Sequence, residues 1–170
     1  MKGYLIAATG LFVVALSLNN SVPAQEQQMD MSVAPENVID GSTHPEKITD
    51  RDAYKMFLLS VSLKDSSDSE LARQKATFSP LNLTDEQQTI ASQIVADFAA
   101  EVQAVNAAWD AAAQVSNPTP SDEAAYRKQI RGIVDEAMAK FELGLGGEKS
   151  RVLHGFIQDE KKNMKIAVED

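Results

Sequence analysis

The sequence predicts an all-α protein, a four- or five-helix antiparallel bundle with an extended N-terminal arm. Three observations lead there. Apolar residues recur at every third or fourth position, and the longest such series is Ile90, Ile94, Phe98, Val102, Val105, Trp109 and Ala112. Four periodic segments are each preceded by a Ser or Thr that lies three residues ahead of an Asp, Glu or Gln, the spacing of a helix-capping pair. No stretch shows the sustained apolar–polar alternation of a half-buried strand.

Residues 1–24 read as an export signal. Lys2 supplies the positive start, YLIAATGLFVVALSL the apolar stretch, and Val22 and Ala24 the small residues before a cleavage point. A retained anchor is the alternative, but the apolar stretch falls short of the roughly 20 residues that a membrane span requires. No stable membrane span is expected after cleavage. No cysteine follows the stretch, so the bacterial type of lipid attachment is not available. The expected location is the periplasm or the extracellular space of a bacterium. Loss of Lys2 alone takes the net charge from −9 to about −10. So acidic a chain repels a phosphate backbone, which argues against nucleic acid as a partner. The absence of cysteine removes disulfides, thiolate metal sites and cysteine nucleophiles.

Residues 25–48 read as an extended or loose arm, because they carry prolines and little periodicity. A single helical domain then covers 49–166, and 167–170 form an acidic tail. In the first helix Thr49 caps the opening turn, Asp50 and Asp52 complement its dipole, and Tyr54, Phe57, Leu58 and Val61 make the apolar stripe. Ser67 and Glu70 open a short, partly exposed helix with Leu71, Gln74, Lys75 and Phe78 along one side; Ser79-Pro80 ends it. Thr84 and Gln87 open the long helix. Its opposite flank is rich in alanine (Ala99, Ala100, Ala104, Ala107, Ala108, Ala111), which favours helix and permits close neighbours. NPTP breaks it, and Thr119-Pro120 with Asp122 starts the next helix, whose face is Tyr126, Ile130, Ile133, Val134, Ala137 and Phe141. GLGG is expected to end that helix, and Val152, Leu153, Phe156 and Ile157 mark a last one.

Candidate chemistry is sparse, and no catalytic residue, cofactor or resident metal is expected. Asp40-Gly41 invites a calcium loop, but an EF-hand starting at Asp40 would put Pro45 at the glycine position and Arg51 at the glutamate position. A turn is the simpler account. The nearest metal-ligand set is Met29, Met31 and His44, whose thioethers and imidazole suit copper. The two histidines, His44 and His154, lie on separate segments. Asp97, Glu101, Asp110, Asp135 and Glu136 have ordinary solvated-face explanations. Lys161, Lys162 and Lys165 suit a helix C-terminus better than a lipid patch. Gly132 and Gly155 suggest close helix crossings. Trp109 falls on the long stripe, which points to a helix interface; exposed near the helix end, it would instead anchor a partner.

Two blocks carry a resemblance. In IDGSTHPEKITDRDAYKMFLLSVS a D-G-S turn leads through P-E-K-I into a D-x-x-A-Y helix, and FIQDEKKNMKI lies near the end. Together they resemble a family of uncharacterised exported bacterial helical proteins, and the resemblance implies export and an all-helical fold, with no catalytic residues to carry over. The leading functional expectation is a non-enzymatic exported protein that acts by protein–protein association, as an accessory subunit of an envelope assembly or as a homo-oligomer. The alternatives are a periplasmic metal- or stress-responsive binding protein and a hydrolase with carboxylates assembled between helices.

Overall fold

All four capping pairs mark the true helix starts. The structure, a computed structural model, describes residues 38–167; the export signal, Met29, Met31, the first part of the arm and residues 168–170 lie outside the described residues. α1 (Asp50–Val61) opens under Thr49, whose hydroxyl accepts the Asp52 amide, and α2 (Asp68–Phe78) opens under Ser67, which accepts the Glu70 amide. α3 (Asp85–Val115) and α4 (Pro120–Glu160) begin with complete capping boxes, Thr84 with Gln87 and Thr119 with Asp122.

The GLGG segment ends the first stretch of α4 as expected, and a second helical stretch follows directly. Gly146 leaves helical geometry at φ 76 and ψ 160, a conformation that glycine adopts without a Cβ clash, and residues 147–160 resume as helix. Carbonyls beside the break gain side-chain partners: Leu145 O accepts the Gln87 side-chain amide at 3.1 Å, and Phe141 O accepts the Ser150 hydroxyl at 3.0 Å. The second stretch doubles back along the first. Gln158 and Lys161 reach Asp50, next to Arg51, which holds Asp135 through two bonds of 2.7 and 3.0 Å. The expected four- or five-helix bundle is therefore four helices, the last of them two stretches joined at a turn.

The core lies where all these pieces overlap. Phe57 meets Phe78 and Phe156 edge-on, each at 6.2 Å between ring centres, and Leu58, Val61, Val95, Phe98, Val134, Phe141, Leu153 and Ile157 are buried around them. Gly144 lets α4 cross α3 closely, since a Cβ there would stand 2.6 Å from Ile90. Gly132 and Gly155 play no such part: a Cβ at either would meet nothing within 4 Å, so close crossing does not explain them.

The last described part of the arm is tied to the C-terminus, which its composition did not suggest. β1 (Val38–Asp40) pairs antiparallel with β2 (Lys165–Ala167), setting Asp40 opposite Lys165, and their side chains meet at 3.2 Å. The Asp40-Gly41 turn then docks on the chain that leaves α4. Gly41 donates its amide to Met164 O at 2.8 Å, and a Cβ at Gly41 would collide with the Lys161 carbonyl. Ile48 closes this region as a buried core residue.

α2 is the short, partly exposed helix that its spacing predicts, and it buries Gln74 and Phe78 from the predicted side. Leu71 is 47 % exposed, whereas Gln74 is 6 % exposed and donates its amide to Val61 O at 3.0 Å. Arg73 donates to Ser60 O and, at 2.7 Å, to Ser62 O. It is aligned by Glu70, which also accepts the Lys64 amide. The carbonyls at the end of α1 have no partner within their own helix, and α2 supplies it.

Candidate functional site

Helix length sets the main surface feature. α3 has 31 residues, about 46 Å at 1.5 Å per residue, whereas α1 with 12 and α2 with 11 reach less than about 20 Å each. The short helices cover only the first half of α3. From Ala99 to Gln129 no residue is buried, so the end of α3, the connection and the start of α4 project as a two-helix overhang. The predicted stripe does face α4 here, but two helices alone bury only one side of each.

The overhang is held by its own contacts. Trp109 and Tyr126 lie 5.0 Å apart between ring centres at 42°, and the Tyr126 hydroxyl donates to Asn106 Oδ1 at 2.8 Å. Lower down, Lys140 bridges Glu101 at 3.7 Å and Glu136 at 2.8 Å. Trp109 is half-buried, serves as a helix-interface residue, and lines a shallow cavity of about 290 Å³ with Val105, Ala112, Pro118, Asp122 and Tyr126. On the other flank Ala100, Ala104, Ala107 and Ala111 are exposed, and Val115 at the helix end is 88 % exposed. This flank leads down to a second shallow groove, of about 780 Å³, between α2 and α3. Leu63 and Leu71, 37 % and 47 % exposed, stand in its wall.

A polar cluster at the start of α1 is the other candidate. Asp50 Oδ1 accepts from Lys161 Nζ and Gln158 Nε2, both at 2.7 Å, and His154 Nε2 lies 4.0 Å from Asp50 Oδ2. The Lys161 and Gln158 hydrogen bonds hold the Asp50 carboxyl below its usual range. Tyr54 stacks on His154 at 6.1 Å, and burial, with the nearby Asp50 and Glu142 charges, pushes its hydroxyl up to about 12. Lys161 is buried, and its charge is taken up by Asp50. These residues clamp the second stretch of α4 to the start of α1.

The other sequence candidates fall into structural roles. His44 contacts Glu46 at 3.2 Å and His154 joins the Asp50 clamp, so the two histidines are not brought together. Met29 and Met31, needed to complete the copper set, lie outside the described residues, and among the described residues no group of three His, Cys, Asp or Glu could hold a metal ion. Asp40 is engaged by Ser42 through both amide (2.9 Å) and hydroxyl (2.6 Å), as a turn requires. Asp97 accepts from Gln93, Asp135 from Arg51 and Glu136 from Lys140. Two of the three lysines of the lipid-patch reading are held by carboxylates, Lys161 by Asp50 and Lys165 by Asp40. Among the described residues no helix is long and apolar enough to cross a membrane.

The fold and its surface define an all-α protein with a protruding helical hairpin. No family model, curated protein or solved structure matches the chain.

Proposed function

We propose that this is a small exported helical protein that works by protein–protein association through the α3–α4 overhang, in the periplasm or outside the cell, as an accessory subunit or as an oligomer of itself. One observation carries the reading: the run from Ala99 to Gln129, across the end of α3 and the start of α4, has no buried residue. An antiparallel helix pair standing alone is a marginal structure, and a further layer on its open flanks would stabilise it. The N-terminal pattern of Lys2, an apolar stretch and Val22-x-Ala24 supports export. The metal-responsive and hydrolase alternatives gain no supporting geometry from the described residues.

The test compares the native mass of the exported protein, alone and with envelope extract, with that of a variant carrying Ala104→Glu and Ala111→Glu. Both positions are exposed on the overhang, so helicity should persist while association is lost. A protein that stays monomeric and gains no mass from the extract overturns the proposal.

A further inference from the structure

The tip of the overhang also carries a small cavity whose chemistry goes beyond the association reading. We propose that this cavity, beside Trp109, takes an organic cation with an alkylated ammonium head, held against the Trp109 and Tyr126 rings with its charge met by Asp122.

Helical spacing assembles the site. Val105, Trp109, Ala112 and Ser116 recur every three or four residues and so share one face of α3. Asp122 and Tyr126 stand one turn apart on α4, and the two faces line a cavity of about 290 Å³. Both aromatic rings of the overhang belong to this lining, 5.0 Å apart between centres. A cation beside an indole and a phenol is attracted by their ring quadrupoles.

Charge decides the class of ligand. Asp122 is the only charged residue of the lining. Its Oδ2 accepts the Thr119 amide at 2.8 Å and the Thr119 hydroxyl at 2.7 Å. These bonds hold the carboxyl below its usual range, so it is ionised at neutral pH and fixed in place. Among the described residues no hydrogen bond engages its Oδ1. α3 ends here with no base in its last turn, and a helix C-terminus favours positive charge. The opposing dipole at the start of α4 is met by Asp122 and Glu123 in its first turn. An anion is disfavoured beside this carboxylate, in a chain of net charge −9. A purely apolar ligand would strip water from the carboxylate and return nothing. A strongly hydrated metal cation gains little from the apolar lining. An alkylated ammonium instead offers its charge to Asp122 and its methyl groups to Val105, Ala108 and Ala112.

Trp109 is the chain's single tryptophan, so its fluorescence reports on this site. Choline is the probe, added to the exported protein with sodium chloride holding the ionic strength constant. The expected result is a saturable change with a midpoint of roughly 1–10 mM, as a shallow site with one carboxylate implies. Asp122→Asn keeps an oxygen for the Thr119 amide and should raise the midpoint about tenfold with unchanged helicity. Glu123→Gln removes the same charge one residue outside the lining and should leave the midpoint where it was. The neutral isostere 3,3-dimethylbutanol and glucose should give no saturable change. Phosphatidylcholine vesicles that act as choline does assign the cation to a lipid head, and choline acting alone assigns a free solute; either upholds the site. No saturable response to choline, an equal response to 3,3-dimethylbutanol or glucose, or an Asp122→Asn midpoint equal to the parent's overturns it. The outcome is separate from that of association: a choline response from a protein that stays monomeric and gains no mass from envelope extract removes association alone, and a gain of mass without a choline response removes this site alone.

Discussion

Replacing Gln74 by leucine should destabilise the fold more than replacing its charged neighbour Arg73 by leucine. Both side chains donate to the last carbonyls of α1, but their surroundings differ. The Gln74 bond to Val61 O, 3.0 Å long, is buried, whereas the Arg73 side chain is 35 % exposed. Leucine nearly conserves the volume of Gln74 and restores some apolar contact, so packing changes little. It leaves Val61 O dry and without its side-chain donor, at a cost of about 1–3 kcal/mol. In Arg73→Leu, water can reach the carbonyls of Ser60 and Ser62, and the loss should stay near 1 kcal/mol. For a folded body of roughly 130 residues, each kcal/mol moves Tm by about 4 °C. Thermal and urea unfolding followed by circular dichroism should therefore show Gln74→Leu melting about 4–12 °C below the parent, with Arg73→Leu between the two. A Gln74→Leu protein within about 0.5 kcal/mol of the parent, or an Arg73→Leu protein less stable than it, would refute the account of α2 as the cap of α1.

Glycines with and without neighbours should respond oppositely: Gly132→Ala fills open space on a helix and should stabilise by about 1 kcal/mol, while Gly41→Ala should lower the urea midpoint sharply by forcing the Asp40-Gly41 turn off the Lys161 carbonyl. Acid should act through Asp40 and Asp50, whose carboxyls are held low in the fold, Asp40 at about 2 by the Ser42 hydroxyl, the Ser42 amide and Lys165, and Asp50 chiefly by the Lys161 and Gln158 hydrogen bonds. A depressed carboxyl contributes stability that is complete above its unfolded value near 4 and is lost as pH falls through the folded one, so Asp40→Asn should flatten the stability profile between about pH 4 and pH 2. A profile unchanged by that substitution would contradict the assignment. Amide exchange in dilute solution should protect 53–58 far more than 103–113, because the overhang has no buried layer to hold it; uniform protection would show that the two helices are stable by themselves.

The helix starts were legible because a cap is a contact over three residues. Thr49, Ser67, Thr84 and Thr119 each accept the amide predicted for them, whatever the rest of the chain does. The break at GLGG was legible for the same reason. Periodicity located the apolar stripe of α3 but overstated its burial, since a stripe says which side faces a neighbour and not how far that neighbour extends. Trp109 shows the result: it lies on the predicted face, packs on Tyr126 and remains half-buried. Gln74 lies on the side predicted for α2, but the depth of its burial was not legible. It is a polar residue on a weak stripe, and its burial is repaid by a carbonyl thirteen positions earlier.

By itself the sequence determined the helical class, the positions of the starts and breaks, and the lengths of the helices, because all of these rest on interactions within a few residues. Only the tertiary structure decided the rest: which half of α3 the short α1 and α2 would cover, that Val38–Asp40 would close on Lys165–Ala167, and that Asp50 would gather Gln158 and Lys161. Those choices depend on contacts between residues more than a hundred positions apart, or on competition among helices of unequal length for one core. The exposed hairpin is the outcome of that competition, and the proposed association follows from it.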